Sequence, residues 1–320
     1  MTSTRPAEPV LELADGRLSA SLTEARNLAL AKVLGELAAG GQQPPVSEGA
    51  TPAAATALLR RIWRWQPAAV RPAVRDHLLA EVSGQPHSDG HQLGCLLCVP
   101  APERAVRPGG GLVAMPRLAH RVGVSYDRSP RDDRYPFRGI QLCDPVPDTI
   151  ERVAAAVDLL REIPGDVAAR LVSDVDRIVI FDSPNIQGFS SALTPGTIYL
   201  NHRLPALQTL EQLVHEHTHL LVYRVLDVVR LTTARSDVLI ASPLRRDRRP
   251  VLGVLHATVV EARLAVLADQ LRRSSGVISP AADRHRRAAL AGAATLLADG
   301  ELTDPGRRLI EALIDEADVR

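Results

Sequence analysis

Leu210-Glu211-Gln212-Leu213-Val214-His215-Glu216-His217-Thr218-His219-Leu220-Leu221 is the stretch from which the rest of this chain is best read. Its Leu and Val residues mark a helix, predicted over 204–229, and inside them His215–His219 fits H-E-x-x-H. Residues four apart on an α-helix lie about 40° apart in projection and about 6 Å apart in rise, so the imidazoles of His215 and His219 reach one ion. Glu216 stands beside them as the candidate catalytic carboxyl. His217 falls about 200° round from His215 and is expected to point away, as a core or surface histidine.

Upstream, Ile178-Val179-Ile180-Phe181 predicts a buried strand over 176–182. Residues 188–201, with a turn at Thr194-Pro195-Gly196, read as a hairpin. Before them, Ile150, Val153, Ala154, Val157 and Leu160 trace one face of a helix capped at Asp148-Thr149. Downstream, Leu252, Leu255, Val259, Val260, Leu264, Val266 and Leu267 predict a second buried helix over 251–272. Two scaffold helices, 281–298 and 305–317, complete the chain.

A catalytic metal site needs a third protein ligand, and the second helix offers His256 and Glu261. Five residues apart, they stand about 140° apart in projection, so they are not expected to face one ion together. His256 is favoured because Gly253, one turn earlier, would let the two helices approach closely. Glu261 would give the two-His-one-Glu set of thermolysin-like peptidases, but Val259-Val260 precede it where those enzymes carry Asn-Glu. Between the helices, Ala241-Ser242-Pro243-Leu244-Arg245-Arg246-Asp247-Arg248-Arg249-Pro250 is a basic loop confined by two prolines. A guanidinium fork held near a metal suits a carboxylate, and Arg245, Arg249 and Arg263 are the candidates.

The ordered series H-E-x-x-H, Ser242-Pro243-Leu244-Arg245, Arg249-Pro250, Gly253 and Leu255-His256-Ala257-Thr258 resembles the HExxH-type 2-oxoglutarate-dependent peptide β-hydroxylases, also grouped as HEXXH-motif peptide-modification proteins. The likeness covers roughly residues 153–291 and includes the 188–201 hairpin. It implies a zincin-like catalytic region holding Fe(II) through His215, His219 and His256. Three imidazoles on one face of an octahedron leave positions for 2-oxoglutarate and O2. The implied reaction consumes both, yields succinate and CO2, and hydroxylates a side-chain β-carbon of a ribosomally made precursor peptide. Glu216 then orients a ligand or water. Gly188, Ser190 and Ser191 would lie on a strand edge that receives the extended peptide. The alternative is a zinc metallopeptidase with Glu216 as general base. A non-catalytic peptide-binding protein on the same scaffold is a third possibility.

The expected fold class is α+β, mostly helical: a catalytic domain over 148–320 with a small sheet and a metal-binding helix, preceded by a helical and irregular lobe over 1–147 suited to substrate recognition. In that lobe, helices are predicted over 18–39, 52–65 and 67–82, with Trp63 and Trp65 packed between them. Residues 84–139 are broken by Pro, Gly and paired charges and read as loops with short strands. His87, His91, Cys95 and Cys98 have zinc-compatible spacing, yet Gly94–Pro100 reads as an apolar strand with cysteines acting as small hydrophobes, and both readings stay open. Of the 38 Lys and Arg only Lys32 is lysine, so arginine clusters are a discounted signal here. The 37 acidic residues balance them, which argues against nucleic acid or an acidic membrane as partner. Three cysteines and no apolar run of spanning length predict a cytoplasmic protein without a disulfide framework.

Overall fold

The computed structural model describes residues 102–114, 140–164, 167–190, 196–226, 229–235 and 237–318. The three expected N-terminal helices, the two tryptophans, the His87–Cys98 tract, Ser191 and the Thr194-Pro195 turn lie outside these residues. Within them the chain is α+β, with six helices and a mixed six-stranded sheet.

Strands β1 (Arg104–Val106), β2 (Leu112–Ala114), β4 (Arg177–Asp182), β6 (Thr197–Asn201) and β5 (Gly188–Ser190) form the sheet in the order β2-β1-β4-β6-β5, and β3 (Gln141–Leu142) also pairs with β4. Only β4 and β6 run parallel, with Ile178 opposite Ile198 and Ile180 opposite Leu200. The sheet therefore draws strands from both sides of position 147. Ile178, Ile180, Ile198 and Leu200 belong to one hydrophobic cluster, and Val179, Phe181 and Tyr199 to another on the opposite face. Burial on both faces explains why β4 is a continuous apolar run with no alternation. Each such side chain taken fully out of water contributes about 1.5–3 kcal/mol. Phe189 of β5 stacks on Tyr199 with ring centroids 4.3 Å apart, which pins the short edge strand to β6.

Helix α1 (Pro147–Arg161) begins on a proline whose absent N–H would have had no partner there. The expected cap at Asp148-Thr149 is corrected accordingly: Val146 precedes the helix without a side-chain cap, and Asp148 sits in the first turn, where its charge complements the helix dipole. Helix α2 (Val167–Asp174) was not anticipated. Helix α3 (Ala206–Leu226) carries the H-E-x-x-H motif and starts just after Pro205. A two-stranded ribbon, β7 (Leu239–Ile240) with β8 (Arg249–Pro250), closes off the arginine loop. Helix α4 (Val251–Ser275) follows directly and stops at Gly276, whose φ of 68° is the left-handed conformation glycine accepts without strain. Helices α5 (Ala282–Asp299) and α6 (Asp304–Asp318) pack behind it.

Helix α4 is antiparallel to α3. Its second half, Val260, Leu264, Leu267 and Leu271, shares a core with the sheet, α1 and the first part of α3. Its first half, Val251, Val254, Leu255 and Val259, shares a separate core with Leu221, Val222 and Val225 of α3 and with α5 and α6. By length and composition α4 could cross a membrane, but 67% of its most apolar stretch is buried inside the molecule, as befits a central core helix. The close-approach role expected of Gly253 is overturned, because a Cβ there would meet nothing within 4 Å. The glycine that permits close helix contact is Gly292 of α5, where a Cβ would stand 2.2 Å from the Thr258 hydroxyl of α4.

Candidate metal site

The antiparallel pairing of α3 and α4 brings His256 onto His219. Their Nδ1 atoms are 3.2 Å apart, across 37 residues of sequence. The His215 and His219 rings lie edge to face with centroids 4.9 Å apart, and those of His219 and His256 are 5.5 Å apart. His256 is 8% exposed, whereas the His215 side chain keeps 31% of its surface open. Burial, then the neighbouring His256, holds His219 down to about 3, and burial with the adjacent His219 also depresses His215. Both imidazoles are therefore neutral near pH 7, the form in which nitrogen binds a metal.

Nitrogen ligands at about 2.1 Å from a common ion stand about 3.0–3.4 Å apart, and the His219–His256 pair meets that spacing. The donor chemistry and the spacing of this pair fit a metal. Among the described residues no three His, Cys, Asp or Glu donors converge closely enough to hold an ion as they stand, so His215 would have to turn its ring to join them.

Glu216 is 2% exposed, and its Oε1 accepts a hydrogen bond of 2.6 Å from Gln212 Nε2, one turn earlier on α3. Burial pushes its carboxyl up to about 8, against the lowering influence of Ser190 and Gln212. Its Oε2 is buried without a hydrogen-bond partner among the described residues, and 3.8 Å separates its Oε1 from His215 Nε2. Edge strand β5 runs beside this part of α3. At Gly188 a Cβ would come within 2.7 Å of the Gln212 side chain, so the absent side chain leaves room for the glutamine that holds Glu216. Ser190 on the same strand faces Glu216, and Ser191 lies outside the described residues.

His217 points away from this group, as its position on the helix requires. It is fully buried, and its Nε2 meets Asp174 Oδ2 of α2 at 2.8 Å. Arg224 pairs with the other carboxyl oxygen and with the Asp174 carbonyl. Burial alone would raise Asp174, but the hydrogen bond from His217 and the charge of Arg224 outweigh it and hold the carboxyl at about 2. Burial also lowers His217, so a neutral ring donates to an ionised carboxylate.

The three candidate arginines occupy different places. Arg245 is exposed on the loop between β7 and β8. Arg249, in β8, is partly buried and pairs with Asp247 at 2.8 Å. Arg263 lies two turns beyond His256 on α4, and its charge acts on His217.

Three residues not singled out from sequence join the neighbourhood. Gln212 anchors Glu216. Tyr223 places its ring 4.9 Å from His256 and 6.3 Å from His219, and its spacing was a legible signal, since 215, 219 and 223 form one stripe on a helix. His285 of α5 binds Glu261 at 2.6 Å, a tertiary contact that spacing does not announce. Comparison with known proteins finds no family model that matches the chain and no similar curated protein.

Proposed function

We propose that the chain is an Fe(II)- and 2-oxoglutarate-dependent peptide β-hydroxylase on a zincin-like scaffold, with His215, His219 and His256 as metal ligands. The observation that carries this reading is the 3.2 Å approach of His256 to His219, because it joins in space the two ends of an ordered motif series. The metal, once loaded with 2-oxoglutarate and O2, supplies the oxidant for an unactivated C–H bond. The protein's own part is to bind and orient. Two imidazoles already stand at ligand spacing, and the half-open His215 completes the set by turning its ring. Gln212 fixes Glu216 as a supporting group beside the ligands. The basic loop that ends in Arg249 leads straight into the ligand helix, where an arginine can grip the distal carboxylate of the cosubstrate. The outer edge of β5, at Gly188 and Ser190, offers backbone groups to an extended peptide running beside Glu216.

The second reading is a zinc metallopeptidase. One observation favours it: Glu216 carries a buried Oε2 without a hydrogen-bond partner beside His215, and a metal bound there would lower the carboxyl toward the ionised form that a general base needs. Anaerobic reconstitution with Fe(II), followed by a succinate assay with candidate precursor peptides, separates the two. The hydroxylase predicts succinate formation and a gain of one oxygen on the peptide. Retained zinc with peptide cleavage and no 2-oxoglutarate turnover would establish the peptidase instead.

A further inference from the structure

Glu261 and His285 have no part in the reading above, yet the charges of both act on His215. Since α3 and α4 are antiparallel and His219 meets His256, one turn back along α3 and about one turn forward along α4 brings His215 level with Glu261, advances of about 6 Å and about 7.5 Å. The charge of Glu261 and that of His285 both act on His215, in keeping with this register. Helix α5 supplies His285 because Gly292, two turns further along the same face, lets it close on Thr258. His285 Nδ1 then meets Glu261 Oε2 at 2.6 Å, with 4% and 14% of the two side chains exposed. His285 Nε2 is buried without a partner among the described residues. Aliphatic side chains would fill this junction of three helices at no desolvation cost, so the polar pair calls for a use beyond packing.

We infer that Glu261, clamped by His285, is a positioning residue for His215, accepting the ring N–H turned away from the metal and thereby fixing which nitrogen faces the ion. Metal-ligating histidines commonly donate their second N–H to a carboxylate, and the loss of that partner typically weakens metal binding about 10- to 100-fold. The inference rests on the metal-site reading proposed above and adds to it a residue that acts through a ligand.

The test is Co(II) titration of the full chain, followed by visible absorption, for the native protein, Glu261→Gln, His285→Gln, His215→Ala and the double variant Glu261→Gln/His215→Ala, with thermal midpoints recorded for each. The expected result is about 10- to 100-fold weaker Co(II) binding in Glu261→Gln, a smaller loss in His285→Gln, and no further loss when Glu261→Gln is added to His215→Ala. A full additional loss in the His215→Ala background would make Glu261 an independent ligand and overturn the inference. Unchanged affinity in both Glu261→Gln and His285→Gln would overturn it while leaving the metal site standing. A native chain that takes up no Co(II) would overturn the metal site and the inference with it. If Glu261→Gln does not fold, His285→Gln alone carries the decision.

Discussion

Two sides of one helical turn hold histidines in opposite circumstances. His217 is fully buried, donates from Nε2 to Asp174 and shares that carboxylate with Arg224, while its Nδ1 has no hydrogen-bond partner among the described residues. His219 lies against both His215 and His256, and His215 remains partly open to solvent. The first side carries its own counter-charge in the Asp174–Arg224 pair, whereas His219 and His256 meet as two rings through one N···N contact of 3.2 Å. The first side has the economy of a structural joint between α2 and α3. The second places imidazole against imidazole, the donor set on which the proposed metal site rests.

The contrast can be broken or sharpened experimentally. Asp174→Ala should have the largest effect, because it strands Arg224 and His217 together: about 3 kcal/mol of stability lost, read by urea denaturation. Acid comes next. Asp174 sits at about 2 in the folded protein, below its ordinary value of 3.8, so the unfolded chain binds the proton more readily in this range. Stability from this carboxylate is complete above about pH 4 and falls as pH drops from about 4 to about 2, a loss of about 2 kcal/mol that should vanish in Asp174→Asn. His217→Leu should cost about 1–3 kcal/mol, since the part-buried Asp174 loses its donor, whereas His219→Leu should change stability by less than about 1 kcal/mol and, on the proposed function, weaken metal uptake. Equal stability losses at 217 and 219 would erase the distinction between the two sides. The smallest effect is expected at Gly253, where alanine meets open space and should stabilise α4 by about 0.4–1 kcal/mol.

Much of the frame was legible because it is periodic. The apolar stripes of α3 and α4 and the run Ile178-Val179-Ile180-Phe181 announce two buried helices and a buried strand whatever surrounds them. Helix α2 is hard to read from sequence because eight residues make barely two turns, too few for an apolar stripe to stand out, and with it goes Asp174, the partner of His217. Gly253 departs from expectation for a different reason. A glycine near a ligand suggests close approach, but which helix lies over it depends on tertiary packing, and the close contact occurs at Gly292 against Thr258. Helix geometry alone makes His256 and Glu261 exclusive, because their separation of about 140° is fatal only if both must reach a single point. An antiparallel partner offers a line of histidines, so His256 takes the level of His219 and Glu261 that of His215.

Helix α4 is a single rod shared by two separate cores, one built on the sheet and one on α5 and α6. His215 is flanked by Leu213 and Val214 of the first, and His256 by Leu255 of the second. Cooperative units of a protein open with different free energies. Heat inactivation should therefore follow whichever core melts first, and amide exchange along α4 should show a step in protection near its middle, where one unit hands over to the other.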